Sequence, residues 1–445
     1  MMKKKIIITS LIGIVVILSV LFFIIKGSKK SESGPVLVIG LDGADWNIID
    51  PLVEKGKLPN LARLINEGSS GIFHTFRPTK SPVIWTSIAT GKTMLKHGVL
   101  DWTFVTDNNI EIPYSVDDIK VKPIWKILSE NNYSVGVLNW FCTFPAEQVN
   151  GYLISDRFRI SVVEDLEEDS YVYPETLMEN ILPHIIRFED KEYGNISRQE
   201  GIKDYLNQSR KLELDIPGNR DIQLRRFRRY FLQDKSIENV ALYLYENVPV
   251  DFFAVYLRLI DTTSHFASMF LEKDITKKWE EENKKLGGPT PETERLLYAN
   301  MADIIEPVYV YMDNVVGRLL EKTTEDTTVI IISDHGFNFS SVGYNHYDTP
   351  VIPHGIIIMK GPGIKSGFKL NKAKVYDLAP TILHHFQLPA AEDMDGNVLR
   401  EASLKKRKVR MIASYETEAA SQQAKKPRAM DKKVLEDLKS LGYIH

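Results

Sequence analysis

The sequence predicts an α/β protein with a doubly wound, mostly parallel sheet, a helical insertion and an N-terminal transmembrane helix. Two observations predict the sheet: short runs rich in β-branched residues recur along the chain, and helical patterns lie between them. These runs are nearly all apolar instead of alternating, which is typical of strands covered by helices on both faces. The runs are Val36–Leu41, Val135–Trp140, Phe252–Leu257, Thr328–Ile332 and Ile356–Met359.

Residues 1–33 are interpreted as a signal anchor followed by a short polar tether. Twenty uncharged residues, Ile6–Ile25, are enough to span a bilayer core as a helix. The exit from this run, Phe23–Ser28, lacks the small-residue site of a signal peptide, so an uncleaved anchor is favoured over cleavage. Lysines flank both ends of this run, and Lys3–Lys5 favour an N-terminus on the cytoplasmic side of the membrane. We therefore expect a single-pass membrane protein whose body lies outside the cytoplasm.

Two helices are predicted between the strands. The first is Pro82–Thr90, with Ser81 as its N-cap and Gly91 as its stop signal. The second is Leu296–Leu320, whose apolar residues recur at helical spacing. Pro307 lies inside this second pattern and predicts a kink or a boundary there.

The body of the protein, residues 34–404, contains two polar inserts. Residues 162–248 are rich in charge and carry no strong strand signal, so we expect a mainly helical cap over the core. Their arginine cluster, Arg225–Arg229, is interpreted as a solvated helix face. A second polar insert is Leu271–Glu294. Residues 405–445 form a basic C-terminal tail, and its first part is expected to be extended or loosely ordered.

Composition limits the classes of partner and of metal site. The 445 residues include 59 acidic and 56 basic side chains, so the chain has no overall positive charge that would favour nucleic acid. No nucleic acid partner is therefore expected. Cys142 is the single cysteine, which excludes an internal disulfide and a thiolate metal cluster. A metal site must therefore use carboxylates and imidazoles, and ten histidines are available.

Polar residues that suit a metal site follow the predicted strands. Each has a plain structural explanation by itself, such as a turn or a helix cap. Together they fall where the carboxyl ends of parallel strands meet, so we expect them to converge. Three aspartates, three histidines and a hydroxyl are enough for two closely spaced divalent ions, and mixed nitrogen and oxygen ligands suit zinc. The candidate metal ligands are Asp42, Ser81, Asp261, His265, Asp334, His335 and His346.

This ordered set resembles the alkaline phosphatase superfamily, and within it the type I phosphodiesterase/nucleotide pyrophosphatase branch. The resemblance covers Val36–Leu399, including Tyr376–Leu383 and Asp395–Leu399, and the ending Leu438–Tyr443 also recurs in its relatives. It implies an alkaline-phosphatase-like core and hydrolysis of a phosphoester, either a small molecule or a lipid headgroup. It also implies that Ser81 attacks phosphorus and that water releases the covalent phospho-enzyme.

The resemblance further implies how two zinc ions are shared among the residues. One ion would be held by Asp261, His265 and His346, and the other by Asp42, Asp334, His335 and Ser81. His354 is the alternative to His346, but it abuts Gly355 at the start of the last predicted strand and is too close to it for a ligand loop, so His346 is favoured.

The sequence departs from the family pattern at the nucleophile. Nucleotide pyrophosphatases usually have threonine there and, three residues later, an asparagine that contacts phosphate; this chain has Ser81 and Ile84. Other phosphoesters, phosphonates and sulfate esters therefore stay open. The alternatives are a sulfatase-like hydrolase, a membrane-bound phospho-headgroup transferase, and an anchored non-enzymatic binding protein. The complete ligand set argues against the last, and the natural substrate and oligomeric state are not predicted.

Overall fold

The structure, a computed structural model, describes the chain between residues 33 and 444. It leaves out residues 107–108, 159–169, 187–219, 268–272, 287–289, 341–342, 348–350, 405–406, 417–428 and 442–443. The predicted membrane segment, Ile6–Ile25, lies outside the described residues. Among the helices that the structure describes, none is long and apolar enough to cross a bilayer.

Nine of the described strands form one sheet, in the spatial order β13-β2-β12-β9-β1-β8-β5-β6-β7. The six others pair in small two-stranded sheets. In chain order the strands are β1 (Val36–Leu41), β2 (Ser69–Phe73), β3 (Thr103–Val105), β4 (Glu111–Pro113), β5 (Val135–Leu138), β6 (Gly151–Ile154), β7 (Val172–Tyr173), β8 (Phe252–Leu257), β9 (Thr328–Ile332), β10 (Asn338–Ser340), β11 (Gly343–Asn345), β12 (Gly355–Lys360), β13 (Phe368–Leu370), β14 (Ala390–Ala391) and β15 (Met411–Ile412).

The centre of the sheet is parallel, which confirms the predicted α/β class with a mostly parallel sheet. Strands β9, β1, β8, β5 and β6 all run in one direction, with Val36 of β1 opposite both Phe252 and Thr328. Strand β12 is antiparallel to both β9 and β2. The predicted strand Val135–Trp140 ends at Leu138, because Asn139 leaves the strand with a φ of 60°.

Helices cover both faces of this sheet. The α-helices are α1 (Trp46–Glu54), α2 (Pro59–Glu67), α3 (Ser81–Thr90), α4 (Met94–His97), α5 (Ile124–Glu130), α6 (Met178–Ile181), α7 (Arg220–Asn247), α8 (Leu259–Ala267), α9 (Lys273–Leu286), α10 (Pro291–Leu320), α11 (Leu378–His385) and α12 (Ala429–Leu441). Short 3₁₀ helices lie at Val116–Asp118, Glu175–Leu177, Leu182–His184, Val375–Asp377 and Arg400–Ala402.

The all-apolar strands are explained by two separate hydrophobic cores. Leu37 and Ile39 of β1 point into the core formed with α1, α2, α7 and α10. Val36 and Val38 point to the opposite face and into the core formed with α3, α5 and α11. Since successive strand side chains alternate between faces, a strand covered on both sides must be apolar at every position.

Two helix predictions need correction. Ser81 is the first residue of α3 and not its N-cap, because Lys80 holds the extended N-cap conformation; Gly91 ends the helix in the left-handed region, as predicted. Helix α10 runs through Pro307 without a boundary, and it begins at Pro291.

The insertion and the tail also differ from expectation in their described parts. Residues 162–248 contain the strand β7, which pairs with β6, and helix α7, whose second half is buried in the core beneath the sheet. In the tail, residues 411–412 form β15. The buried Lys92 Nζ lies 2.7 Å from Asp393 and 3.0 Å from Glu416, and Arg157 pairs with Asp431 of α12. These parts of the tail are therefore held against the body.

His97 is a buried histidine whose ring is held neutral. Its Nε2 lies 2.9 Å from Ser87 Oγ, and its Nδ1 accepts a hydrogen bond of 3.1 Å from the Val99 N–H. Burial lowers the pKa of His97 to about 4. In the unfolded chain, His97 takes up a proton at the ordinary histidine pKa of about 6.5. In the folded state it stays neutral until a much lower pH.

We predict that His97 destabilises the folded protein as the pH falls from about 6.5 to 4. The free energy of unfolding should then lose up to ~1.4 kcal/mol per pH unit through this one group. His97→Gln keeps polar atoms near Ser87 and Val99 but does not titrate, so its stability should fall less steeply. Urea unfolding at several pH values measures both slopes, and identical slopes would contradict the prediction.

Candidate metal centre

The loops at the carboxyl edge of the sheet bring all the predicted ligands together. They follow β1, β8 and β9, and they are joined by the start of α3 and by the residue after β11. Each of these side chains is buried except that of His265, which is 14% exposed. The residues are Asp42, Ser81, Asp261, His265, Asp334, His335 and His346.

One group of converging atoms comes from α8 and from the loop after β11. Helix α8 places Asp261 and His265 one turn apart, with Asp261 Oδ1 3.4 Å from His265 Nε2. His346 Nε2 lies 3.6 Å from the same oxygen and 3.1 Å from His265 Nε2. One ligand atom from each of these residues thus points toward a common centre.

His346 is held in the neutral form, which is able to bind a metal. Its Nδ1 lies 2.7 Å from the Thr79 carbonyl oxygen, to which it donates, so the lone pair of Nε2 faces Asp261. Burial lowers the pKa of His346 well below its usual value, and the neighbouring His335 and His265 act in the same direction. Neutral imidazole is the form that binds metal.

The second group is centred on His335 Nε2. This atom lies 3.4 Å from Asp42 Oδ1, 3.4 Å from Asp334 Oδ2 and 3.3 Å from Ser81 Oγ. His335 Nδ1 lies 3.0 Å from the Gly336 carbonyl oxygen, which fixes the ring. Atoms of Asp42, His335 and Asp261 also lie close enough to share one ion, so Asp261 faces both groups.

The carboxylates of this site fit a divalent cation. Asp42 Oδ1 and both carboxylate oxygens of Asp334 are buried and make no hydrogen bond to any residue that the structure describes. Burial, then the nearby Asp334 and Asp261, raise the pKa of Asp42 well above its usual value, and burial also raises that of Asp334. Buried charges of one sign are costly unless a cation balances them, and these atoms would bind one directly.

Asp42 is aimed by two aromatic side chains that sequence reasoning missed. Trp85 Nε1 donates a 3.1 Å hydrogen bond to Asp42 Oδ2, and the Tyr256 hydroxyl donates to the same oxygen, which leaves Oδ1 toward His335. A Cβ on Gly40 would lie 2.7 Å from the Trp85 ring, so only glycine lets the indole lie on β1. Trp85 is one helical turn after Ser81, so the two side chains lie on the same face of α3. This spacing could have identified Trp85 from the sequence as a neighbour of the site.

Asp45 is a third residue that the sequence did not single out. It caps α1 by accepting from the Asn47 N–H at 2.8 Å, and it accepts from the Phe337 N–H at 2.9 Å. Burial raises its pKa to about 6, although both hydrogen bonds act in the opposite direction. It thereby ties the loop that carries Asp334 and His335 to the start of α1.

Two further sequence candidates lie outside the cluster of ligand atoms. His354 Nδ1 accepts a 3.1 Å hydrogen bond from the Thr75 N–H, and its ring packs edge-on against His74 at 4.6 Å. Ile84 is fully buried in the core next to Trp85. It therefore presents no polar group toward Ser81.

Comparisons with known proteins give a family and a fold. The family model described as type I phosphodiesterase / nucleotide pyrophosphatase matches residues 36–428. A stretch of 96 residues is 34% identical to the 2,3-bisphosphoglycerate-independent phosphoglycerate mutase of Cereibacter sphaeroides, over 20% of this chain and 18% of the mutase. The chain thus matches less than a fifth of the length of that curated relative.

Two solved sulfatase structures share the overall fold. One is a 2-O GAG sulfatase, with a TM-score of 0.52 and 12% identity over 85% of this chain and 76% of the other. The second is a putative sulfatase from Bacteroides thetaiotaomicron, with a TM-score of 0.50 and the same identity and coverage. At this identity the likeness is one of fold alone.

We predict that Trp85→Phe weakens metal binding about tenfold, because it removes one of the hydrogen bonds that aim Asp42. Trp125→Phe is the matched control: Trp125 is buried in the same core, and its indole N–H makes no hydrogen bond to any described residue. Zinc affinity is measured by competition with a chromogenic chelator. Equal affinities for the two variants would contradict a role for the Trp85 hydrogen bond.

Proposed function

Because the chain belongs to the type I phosphodiesterase / nucleotide pyrophosphatase family, we propose that it is a phosphodiesterase with Ser81 as nucleophile and two zinc ions as cofactors. The family makes the protein a metal-dependent hydrolase of phosphoesters. The observation that carries the finer proposal is the position of Ser81 Oγ, 3.3 Å from His335 Nε2 and at the edge of the buried carboxylates.

The donor atoms support two ions divided as the family resemblance implies. Zinc bound there would supply positive charge that stabilises oxygen atoms during phosphoryl transfer. One ion would be held by Asp261, His265 and His346, and the other by Asp42, Asp334, His335 and Ser81.

In the proposed reaction, Ser81 would attack the phosphorus atom of the substrate. The bond between Oγ and phosphorus would form as the Oγ proton is lost and the bond from phosphorus to the leaving oxygen breaks, and that oxygen would take up a proton and leave as an alcohol. Water would then break the bond between Oγ and phosphorus, which restores the serine hydroxyl and releases the phosphate monoester. The Ser81 N–H makes no hydrogen bond within the described chain and lies at the positive end of α3, where it favours a phosphoryl oxygen. The N–H groups of Val83 and Ile84 both donate to Lys80 and are already used.

The substrate proposed is a phosphodiester other than a nucleotide, in a small molecule or a lipid headgroup. The buried Ile84 gives no phosphate contact of the kind that asparagine provides in nucleotide pyrophosphatases. Transfer of the phospho group to an alcohol is the second candidate, and the partial match to a phosphoglycerate mutase favours it. A sulfatase-like reaction is the third, on the basis of the shared fold. The non-enzymatic alternative is set aside, since the family is one of hydrolytic enzymes.

We predict that Ser81→Ala lowers turnover of bis-(p-nitrophenyl) phosphate on the order of a thousandfold or more, because the nucleophile is lost. Bound zinc should stay near two ions per chain, since the other ligands are retained. Ser87→Ala is the control, because this buried serine lies on the same helix as Ser81. Its hydroxyl bonds His97 at 2.9 Å, and His97 is not one of the proposed site residues, so turnover should change little.

The same assay separates the candidates. Faster cleavage of p-nitrophenyl phosphate or of a sulfate ester would replace the diester as substrate class. Zinc binding without any hydrolysis, but with transfer to an added alcohol, would favour the transferase. Full diester turnover in Ser81→Ala would contradict the proposed nucleophile.

We also propose that Ile6–Ile25 anchors the protein in a membrane with the catalytic domain outside the cytoplasm. The support is the length of the uncharged run and the lysines before it. We predict that the full chain resists carbonate extraction from membranes and that protease added to intact cells or spheroplasts degrades its body. Release of the protein by carbonate would contradict the anchor.

A further inference from the structure

We propose that Asp234 is a positioning residue of the metal centre, because its carboxylate caps the helix that carries two of the ligands. This inference rests on the proposed function, which takes Asp261 and His265 as metal ligands. Asp234 lies on α7, inside the insertion, and neither the family match nor the sequence motifs assign it a role.

The contact is a helix cap supplied from elsewhere in the chain. Asp234 Oδ2 accepts hydrogen bonds from the Arg258 N–H at 2.8 Å and from the Leu259 N–H at 2.6 Å. Helix α8 begins at Leu259, and the residue before it is an arginine, which lacks the short oxygen-bearing side chain preferred at an N-cap. Asp234 provides that oxygen and places a negative charge at the positive end of the helix.

A second backbone contact holds the same turn of α8. The Asp261 N–H donates a 3.0 Å hydrogen bond to the carbonyl oxygen of Asp42. The first turn is therefore fixed from α7 on one side and from the end of β1 on the other. Because Asp261 and His265 are both carried by this helix, a shift of its first turn moves both ligand atoms together.

The side chain of Arg258 adds to the link between α7 and α8. Its guanidinium donates a 2.8 Å hydrogen bond to Gln233 Oε1 and lies over the Tyr230 ring, 4.6 Å from its centre. Arg258, Gln233 and Asp234 are all buried. Loss of the Asp234 carboxylate would therefore leave two buried N–H groups without their acceptor, a defect that water does not readily repair.

The fold contains a matched control for a cap that is only structural. Asp313 of α10 likewise caps a helix from elsewhere in the chain, and its acceptors bond the second and third residues of α2: Oδ2 accepts from the Asn60 N–H at 3.1 Å and Oδ1 from the Leu61 N–H at 2.8 Å. Asp313 is as buried as Asp234, but α2 carries none of the proposed ligands. The two carboxylates differ chiefly in what the capped helix holds.

The test compares Asp234→Ala, Asp234→Asn and Asp313→Ala in the full-length protein. Zinc affinity of metal-stripped samples is measured by chelator competition, and amide hydrogen exchange is measured without metal. We expect Asp234→Ala to weaken zinc binding about 10- to 100-fold and to speed exchange in residues 258–267. Asp234→Asn keeps an acceptor oxygen and should be intermediate. Asp313→Ala should speed exchange in residues 59–67 and change zinc affinity by less than about twofold.

The possible outcomes distinguish a role of Asp234 in metal binding from a purely structural one. Unchanged zinc affinity in Asp234→Ala would overturn the proposal and leave the proposed function standing. Equal losses of affinity in Asp234→Ala and Asp313→Ala would also overturn it, since they would report general destabilisation. If the unchanged protein binds no zinc, the proposed function fails, and faster exchange confined to residues 258–267 in Asp234→Ala still decides the capping role. If Asp234→Ala does not fold, Asp234→Asn carries the comparison.

Discussion

The structure depends on holding three buried carboxylates, those of Asp42, Asp261 and Asp334, at one edge of the sheet. They meet there because β1, β8 and β9 are parallel and run in step, so their carboxyl ends lie at one level. Such a cluster of like charges opposes folding unless a cation or protonation neutralises it. Much of the surrounding architecture restrains these side chains: aromatic donors aim Asp42, Asp45 holds the loop after β9, and Asp234 holds α8.

The central strands and the place of the site could be predicted because both follow from local sequence. A run that is apolar at every position indicates a strand with two covered faces, and a polar residue after it lies at the ligand-binding edge. Strand β2, with the sequence Ser-Ser-Gly-Ile-Phe, gave no such signal, and its place is decided by pairing with β12. The hydrogen bond from Tyr256 to Asp42 joins residues 214 positions apart, and a local sequence pattern cannot predict such a pair.

Helix α7 shows that an insertion can be part of the core it was expected to cover. Its second half packs under the sheet, and Glu238 on it is buried against Lys235 at 3.1 Å and Arg318 at 2.8 Å. The charge-rich composition that predicted an outer cap reflects these internal ion pairs as well as exposed surface. The insertion is therefore bonded directly to α8, the helix that carries Asp261 and His265.

The ion pairs between the body and the tail bear on the order in which the chain matures during synthesis. Lys92, just after the helix that Ser81 begins, pairs with Glu416, and Arg157 pairs with Asp431; these partners are made 324 and 274 residues later. At about 5–20 residues per second, the ribosome needs roughly 15–65 s to cover the longer interval. Lys92 meets its other carboxylate partner, Asp393, only 301 residues after it, so both cations lack their partners for most of this interval. The segment that follows Ser81 is thus translated early in synthesis, while its ion pairs with the C-terminal part of the chain form late.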